Sequence, residues 1–174
     1  MHLAVNLVPG TLQRELSLFG GMAISYVVVD VLRASTVICT ALANGAQAVV
    51  PFGDIESARV SRNSFGTTGA LLCGERGGRK VDGFDLGNSP AEYTREKVAG
   101  RTLIFASTNG SVALASAPAN ATVMVGSLVN LTALAQSLLQ LDQPILIACA
   151  GKEGGFSPDQ GLKWQPAYIF EKVN

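Results

Sequence analysis

The side chains that could carry chemistry gather in short polar stretches, each following an apolar run. The first holds Asp30, Arg33, Ser35 and Thr36. The second holds Glu75, Arg76, Gly77, Gly78 and Arg79, with Lys80 next. The third runs Ser107-Thr108-Asn109-Gly110-Ser111, and Gly126-Ser127 forms a small fourth. The last runs from Gly151 to Asp159 and includes Lys152, Glu153 and Ser157. Carboxylates, guanidinium groups, hydroxyls and glycines in this mixture suit an anion site that also holds a metal. Glycine lets backbone N–H groups approach a phosphate closely. Arginine forks a phosphate with paired donors. A carboxylate pair suits Mg²⁺, a cation that prefers oxygen.

An alternation of β-branched runs and helical stretches must position these groups. The continuous apolar run Ile24–Val29 predicts a strand covered on both faces. Ala34–Asn44 follows as a helix that Gly45 stops. Ala48–Phe52 predicts the next strand, and Asp54 caps a short helix through Arg62. Ala70–Cys73, Thr102–Ala106, Thr122–Val125 and Ile145–Cys149 read as further strands. Helices are expected at Ser111–Ser116 and Leu128–Leu141. Ser89-Pro90-Ala91-Glu92 is a capping box with proline at the first helical position, opening a helix that ends before Gly100. This βαβα order predicts an α/β fold of three layers, α/β/α, around a largely parallel or mixed sheet. Ligands of such sheets bind beyond the carboxyl ends of the strands, and the polar stretches fall there. Arg76–Asn88 reads as a long, charged, glycine-rich loop, a kind that is often functional.

The chain has 174 residues, which suits one domain, and 48% of them are apolar, which supplies a core. Thirteen basic side chains balance thirteen acidic ones, and 6% of residues are aromatic. No nucleic-acid partner is expected from that balance. The single histidine, His2, sits by an N-terminus expected to fray, which excludes most zinc sites and Ser-His-Asp triads. Cys39, Cys73 and Cys149 lie in apolar segments and read as reduced and buried. No secretory signal opens the chain, and Ile24–Val50 is interrupted by Asp30, Arg33 and Asn44. A cytoplasmic protein with no membrane span is therefore expected. An exposed edge strand favours a homodimer.

Each polar group also has a purely structural reading. Asp30 suits a helix cap, Arg33 a surface ion pair, Asn109-Gly110 an ordinary turn, and Lys152 and Glu153 solvated loop charges. Their recurrence at one sheet edge is what favours a site. Cys73 and Arg79 fit the C-x5-R spacing of cysteine phosphatases. Against that, Glu75 would put a negative charge inside the anion cradle, and Leu72 stands where those enzymes carry histidine. The strand end at Asp30 is similar to that of haloacid-dehalogenase phosphatases, with Leu32 in place of their second aspartate.

Five blocks carry a more specific resemblance: VDVLRAST (Val29 to Thr36), GERGG (Gly74 to Gly78), GFDLGNSPAEY (Gly83 to Tyr93), STNGSVAL (Ser107 to Leu114) and CAGKEGGFSPD (Cys149 to Asp159). In these blocks and their order the chain resembles the 2-phosphosulfolactate phosphatase family (ComB-like proteins). The resemblance covers the chain from about Asp30 to Asp159, within one α/β phosphatase domain expected over residues 1–160, while residues 161–174 match nothing in it. Chains of that family run on beyond the Cys-Ala-Gly block. Their last block usually reads Phe-Ser-x-Glu-Asp, where this chain has Phe156-Ser157-Pro158-Asp159-Gln160. The resemblance implies a cytoplasmic, Mg²⁺-dependent phosphoric monoester hydrolase acting on small 2-phospho-hydroxy acids, in an enzyme family named from coenzyme M biosynthesis.

The residues and the resemblance together set out an expected site. Asp30 and Glu75 hold Mg²⁺, with waters completing its shell. Arg33, Arg76 and backbone N–H groups near Ser35, Asn109 and Gly110 take the phosphoryl oxygens, with Thr36, Gly77 and Ser157 beside them. Arg79 or Lys80 receives the substrate's carboxylate or sulfonate. Asp30 as nucleophile is the alternative, in which Glu75 carries more of the metal. From another class comes a non-catalytic phospho-ligand binding protein of the same fold.

Overall fold

The computed structural model describes residues 2–65, 69–152 and 155. Its strands form two sheets of four. The first runs β1 (Leu3–Asn6), β8 (Ile145–Cys149), β2 (Ser25–Val29), β7 (Thr122–Gly126), all parallel. The second runs β3 (Ala48–Phe52), β6 (Thr102–Ala106), β4 (Ala70–Arg76), also parallel, and ends in the short antiparallel β5 (Arg79–Lys80). The expected α/β architecture is present, with its strands divided between two sheets. Helices are α1 (Leu12–Ser17), α2 (Ala34–Ala43), α3 (Ile55–Arg62), α4 (Arg95–Val98), α5 (Gly110–Ala115) and α6 (Leu131–Leu141).

Both faces of each sheet are covered, which is why the central strands read as unbroken apolar runs. On one face of the first sheet, Val27, Val29, Ile145 and Ile147 pack against Leu134 and Leu138 of α6. On the other, Tyr26, Val28, Leu146 and Ala148 meet Leu12 and Leu16 of α1 and Ala113 and Leu114 of α5. Cys73, Leu103 and Phe105 of the second sheet pack against Val37, Ile38 and Ala41 of α2. Leu72, Ile104 and Ala106 face Ala58 of α3, with Phe84.

Three expectations need correcting. His2 is not frayed: β1 adds to the edge of β8, and the His2 carbonyl accepts the N–H of Ile145 at 2.8 Å. The His2 ring also stands edge-on to Phe19, with centroids 5.4 Å apart. The second correction concerns the box at Ser89, which does not form. Ser89 makes no side-chain cap, and Glu92 instead accepts the N–H of Gly87 at 2.8 Å. Tyr93 is fully buried, with its hydroxyl donating to the Gly87 carbonyl, and the chain bends to place it. A single turn, Pro90–Glu92, is thereby separated from α4. Third, the long loop after β4 is partly ordered by pairing. Gly77 (φ 58°) and Gly78 (φ 83°) make the two-residue turn between β4 and β5, the left-handed backbone that such hairpins need. The returning chain bridges to β4 between Cys73 and Leu86. Asp85 anchors it, accepting the Leu72 N–H and pairing with Arg62, each at 2.8 Å.

Gly74 is the tightest point of the second sheet. Its φ is 134°, and a Cβ there would sit 1.8 Å from the Ala106 carbonyl oxygen. Gly74→Ala is expected to cost more than about 3 kcal/mol, through backbone strain and displacement of β6. Gly77→Ala, where a Cβ meets nothing within 4 Å, should cost only about 1 kcal/mol for its left-handed backbone. Urea unfolding of the two variants checks the difference.

Candidate active site

The carboxyl ends of the two sheets face a shared cleft of about 290 Å³. The first sheet supplies Asp30, Leu32 and Arg33 after β2, and Lys152 after β8. The second supplies Glu75, Gly77 and Gly78 from β4 and its turn, Thr108 and Asn109 after β6, and Asn88 from the returning loop.

Asp30 is 4% exposed. Its carboxylate accepts backbone N–H groups of Ala34 and Arg33 where α2 begins and of Gly110 where α5 begins. Such donors favour the ionised form. Burial works the other way and is the larger effect, reinforced by the charge of Glu75, so the Asp30 carboxyl is pushed up to about 6. Its Oδ1 has no hydrogen-bond partner. The local fold is built around this group. The Asp30 N–H donates to Ser35 Oγ and the Ser35 N–H returns to the Asp30 carbonyl, both at 2.8 Å. Gly110 closes the other side: a Cβ there would lie 2.6 Å from Asp30 Oδ2 and 2.5 Å from Ala34 Cβ.

Glu75, 5% exposed, ties the cleft to both neighbouring loops. One oxygen accepts the Thr108 N–H at 2.7 Å. The other accepts the Gly78 N–H at 2.6 Å and the Thr108 hydroxyl at 3.0 Å. Arg33 lies at the rim, half-buried, with Nη2 donating to the Gly78 carbonyl at 3.3 Å.

Of the residues expected from sequence, Asp30, Arg33, Glu75, Gly77 and Asn109 line the cleft, and Gly110 backs it. Ser35 and Thr36 do not line it. Ser35 Oγ serves Asp30 N, while Thr36 Oγ1 donates to the Val31 carbonyl and lies 2.7 Å from Ser127 Oγ. Arg76 turns away: its guanidinium donates to the carbonyls of Ser107 (2.7 Å) and Gly53 (3.4 Å), bracing two loops behind the cleft. Arg79 and Lys80 are exposed on β5, outside the cleft lining. Ser157 lies outside the described residues. Sequence reasoning passed over Asn88 and read Lys152 as solvated. The signal for Asn88 was available, since it stands in the GFDLGNSPAEY block. Asn88 is 7% exposed and its Oδ1, like that of Asp30, has no partner.

An unpaired buried acceptor costs roughly 1–3 kcal/mol. Two of them on residues lining one cleft, beside a second carboxylate, make an all-oxygen donor set that fits a hard cation such as Mg²⁺. Among the described residues no cluster of three or more His, Cys, Asp or Glu offers a closed protein cage. The cysteine chemistry that the C-x5-R spacing offered is not available: Cys73 is fully buried and its thiol is pushed up to about 12 by burial. Cys149 is likewise buried and Cys39 half-buried, and all three are free. No helix among the described residues is long and apolar enough to cross a membrane.

The chain is an α/β domain with paired carboxylates, a guanidinium and glycine turns in one cleft at the carboxyl edge of its parallel strands. The particular family follows from comparison with known proteins. Residues 13–162 match the family model for 2-phosphosulpholactate phosphatase, and the chain belongs to that family. It is 44% identical over 147 residues to a probable 2-phosphosulfolactate phosphatase of Caldanaerobacter subterraneus subsp. tengcongensis, covering 84% of this chain and 60% of that protein. Proteins of the same name from Carboxydothermus hydrogenoformans and Clostridium acetobutylicum are 47% and 43% identical, covering 75% and 76% of this chain and 53% and 56% of theirs. The chain thus spans less than two thirds of the length of these relatives.

The raised Asp30 fixes a pH dependence of stability. A carboxyl whose folded value lies above its unfolded one stabilises the fold below the unfolded value, 3.8, and that stability is lost as pH rises through about 6. Asp30→Asn cannot ionise. In EDTA its stability relative to wild type should therefore climb by on the order of 2–3 kcal/mol between pH 4 and pH 7.5. Urea midpoints at the two pH values measure this.

Proposed function

We propose that this chain forms the phosphate- and metal-binding part of a Mg²⁺-dependent phosphatase. Its substrate is 2-phosphosulfolactate or a related small 2-phospho-hydroxy acid, cleaved to the hydroxy acid and phosphate. The observation that carries this reading is the buried, partly unpaired Asp30 carboxylate facing Glu75, Asn88 and Arg33 in one cleft, in a chain of this family.

Asp30, Glu75 and Asn88 would hold the Mg²⁺. The ion supplies Lewis acidity and charge neutralisation when bound. Charge balance favours its presence. The cleft sets two carboxylates against Arg33 and Lys152, so a phosphate dianion needs about two further positive charges. Arg33 and Lys152 take phosphoryl oxygens from the rim, and the Gly77-Gly78 turn keeps side chains out of the way. Hydrolysis forms a P–O bond to water and breaks the ester P–O bond, and the leaving alkoxide takes a proton. Glu75 Oε2 accepts from Gly78 and the Thr108 hydroxyl while Oε1 accepts only the Thr108 N–H, so Oε1 keeps a lone pair for the metal while the carboxylate holds both loops at fixed distance. Asp30 is the group that either positions the reacting water or attacks phosphorus itself, and turnover depends on it in both cases. Phosphate bound without turnover would point instead to a degenerate binding protein.

Phosphate release from 2-phospholactate should require Mg²⁺ and stop in EDTA. Asp30→Asn should lower kcat by roughly a thousandfold or more, and Arg33→Ala should raise KM about tenfold. Arg76→Ala should instead act through stability, lowering the urea midpoint by the equivalent of about 1–2 kcal/mol, because its partners are loop carbonyls. Wild-type turnover in Asp30→Asn would overturn the reading.

A further inference from the structure

The two carboxylates of the cleft follow strands of different sheets, yet one short loop reaches both. It joins β6 to α5. Near its start, Thr108 gives both of its donors to Glu75: the N–H to Oε1 at 2.7 Å and the hydroxyl to Oε2 at 3.0 Å. At its end, the N–H of Gly110 goes to Asp30. The loop is itself pinned. Ser107 and Ser111, both buried, each donate their N–H to the other's hydroxyl oxygen, at 2.7 and 2.9 Å. Arg76 holds the Ser107 carbonyl at 2.7 Å from behind the cleft. Thr108 therefore stands at a fixed point from which its hydroxyl can hold a partner still.

Its neighbours fix the direction of that hydroxyl. Thr108 Oγ1 accepts the N–H of Gly77 at 3.1 Å, and a carboxylate oxygen can only accept, so the hydroxyl proton points at Glu75 Oε2. Among the described residues, Oε2 then has two donors, Thr108 and Gly78, and Oε1 has one. The last torsion of a glutamate is broad when nothing holds it. Here a turn of the carboxylate would break three hydrogen bonds, and the oxygen with the smaller load is Oε1. A hydroxyl needed only for the β4–β5 turn would serve Gly77 alone, and Gly77 is exposed, where water can take its N–H. We propose that Thr108 is a positioning residue for the metal site. Its hydroxyl fixes the rotation of the Glu75 carboxylate and reserves Oε1 for the cation, as second-layer partners of metal ligands do. This inference rests on the Mg²⁺-dependent reading above and deepens it.

The test is calorimetric titration of Mg²⁺ into the metal-free, full 174-residue chain, with no substrate present. Thr108→Val keeps the N–H and the shape of the side chain and removes the hydroxyl. Its Kd for Mg²⁺ should be weaker than wild type by about tenfold or more, the usual cost of losing a partner of a metal ligand. Thr108→Ser keeps the hydroxyl and should bring the Kd back to within about threefold of wild type. The Mg²⁺ concentration that half-activates phosphate release from 2-phospholactate should move by the same factors. Thermal melting in EDTA confirms that each variant folds, and Thr108→Ala replaces the valine variant if that one does not. A purely structural role predicts a lower melting midpoint in EDTA with the Mg²⁺ Kd unchanged, and that result overturns the inference. Equal weakening in the serine and valine variants overturns it too, since the hydroxyl would not be the cause. In both cases wild-type Mg²⁺ binding leaves the phosphatase reading standing. A wild-type chain that takes up no Mg²⁺ overturns the metal site of that reading, and the inference falls with it.

Discussion

The close approach of Gly110 to Asp30 is the contact on which the molecule's arrangement turns. Asp30 follows a strand of one sheet and Gly110 follows a strand of the other. With no side chain at Gly110, the start of α5 can sit against Ala34 and against the Asp30 carboxylate. Backbone N–H groups from two helix starts then converge on one carboxyl. The same contact therefore docks the sheets, buries Asp30 and sets its ionisation. A methyl group at position 110 would force all three apart. The second carboxylate is held differently: Glu75 is bonded on both oxygens to backbone and hydroxyl of adjoining turns. One acid is thus left under-satisfied at the centre and the other is used as a brace at the edge. Buried polar groups are normally paired, and sites that bind ligands are where that rule is relaxed.

At the seam of the two sheets, the short α5 serves both. Its first turn serves Asp30, Ser111 closes a hydrogen-bond ring with Ser107, and its later residues Ala113 and Leu114 fill the core of the first sheet. Pro118, just past its end, cannot continue the helix. Small residues along it, Gly110, Ser111 and Ala113, let backbone rather than side chain make the contacts.

The strands were legible because a strand covered on both faces leaves an unbroken apolar run, and Tyr26–Val29, Leu103–Ala106 and Ile145–Cys149 are such runs. Their polar successors were legible as cleft residues for the same reason, since a charge directly after a buried strand must lie at its carboxyl edge. Sequence could not say that the strands divide into two sheets, because pairing partners leave no mark within a single strand. It missed β1, where Val5 is partly exposed at a sheet edge and the alternation is short. It over-read Ser89–Glu92 as a helix start, because the pattern fits a capping box and the competing demand, burial of Tyr93, is tertiary. It placed Arg76 with Arg33, since two arginines that each follow a strand look alike in a string. Only the fold shows that Arg76 spends its donors on the Ser107 and Gly53 carbonyls.

The strand order has a further consequence for synthesis on the ribosome. β2 lies at the centre of the first sheet, yet both of its neighbours, β7 and β8, come from the last part of the described chain. Its apolar residues emerge early and have no strand to pair with until Thr122 and Ile145 are made. The second sheet waits less: β3 and β4 both pair with β6, and all three lie between residues 48 and 106, so the sheet closes once Thr102–Ala106 is made. The nascent protein therefore carries an assembled half beside an unpaired Tyr26-Val27-Val28-Val29 segment. Such a segment is a binding stretch for chaperones and a hazard for aggregation, and its protection during translation is a demand set by topology rather than by the finished site.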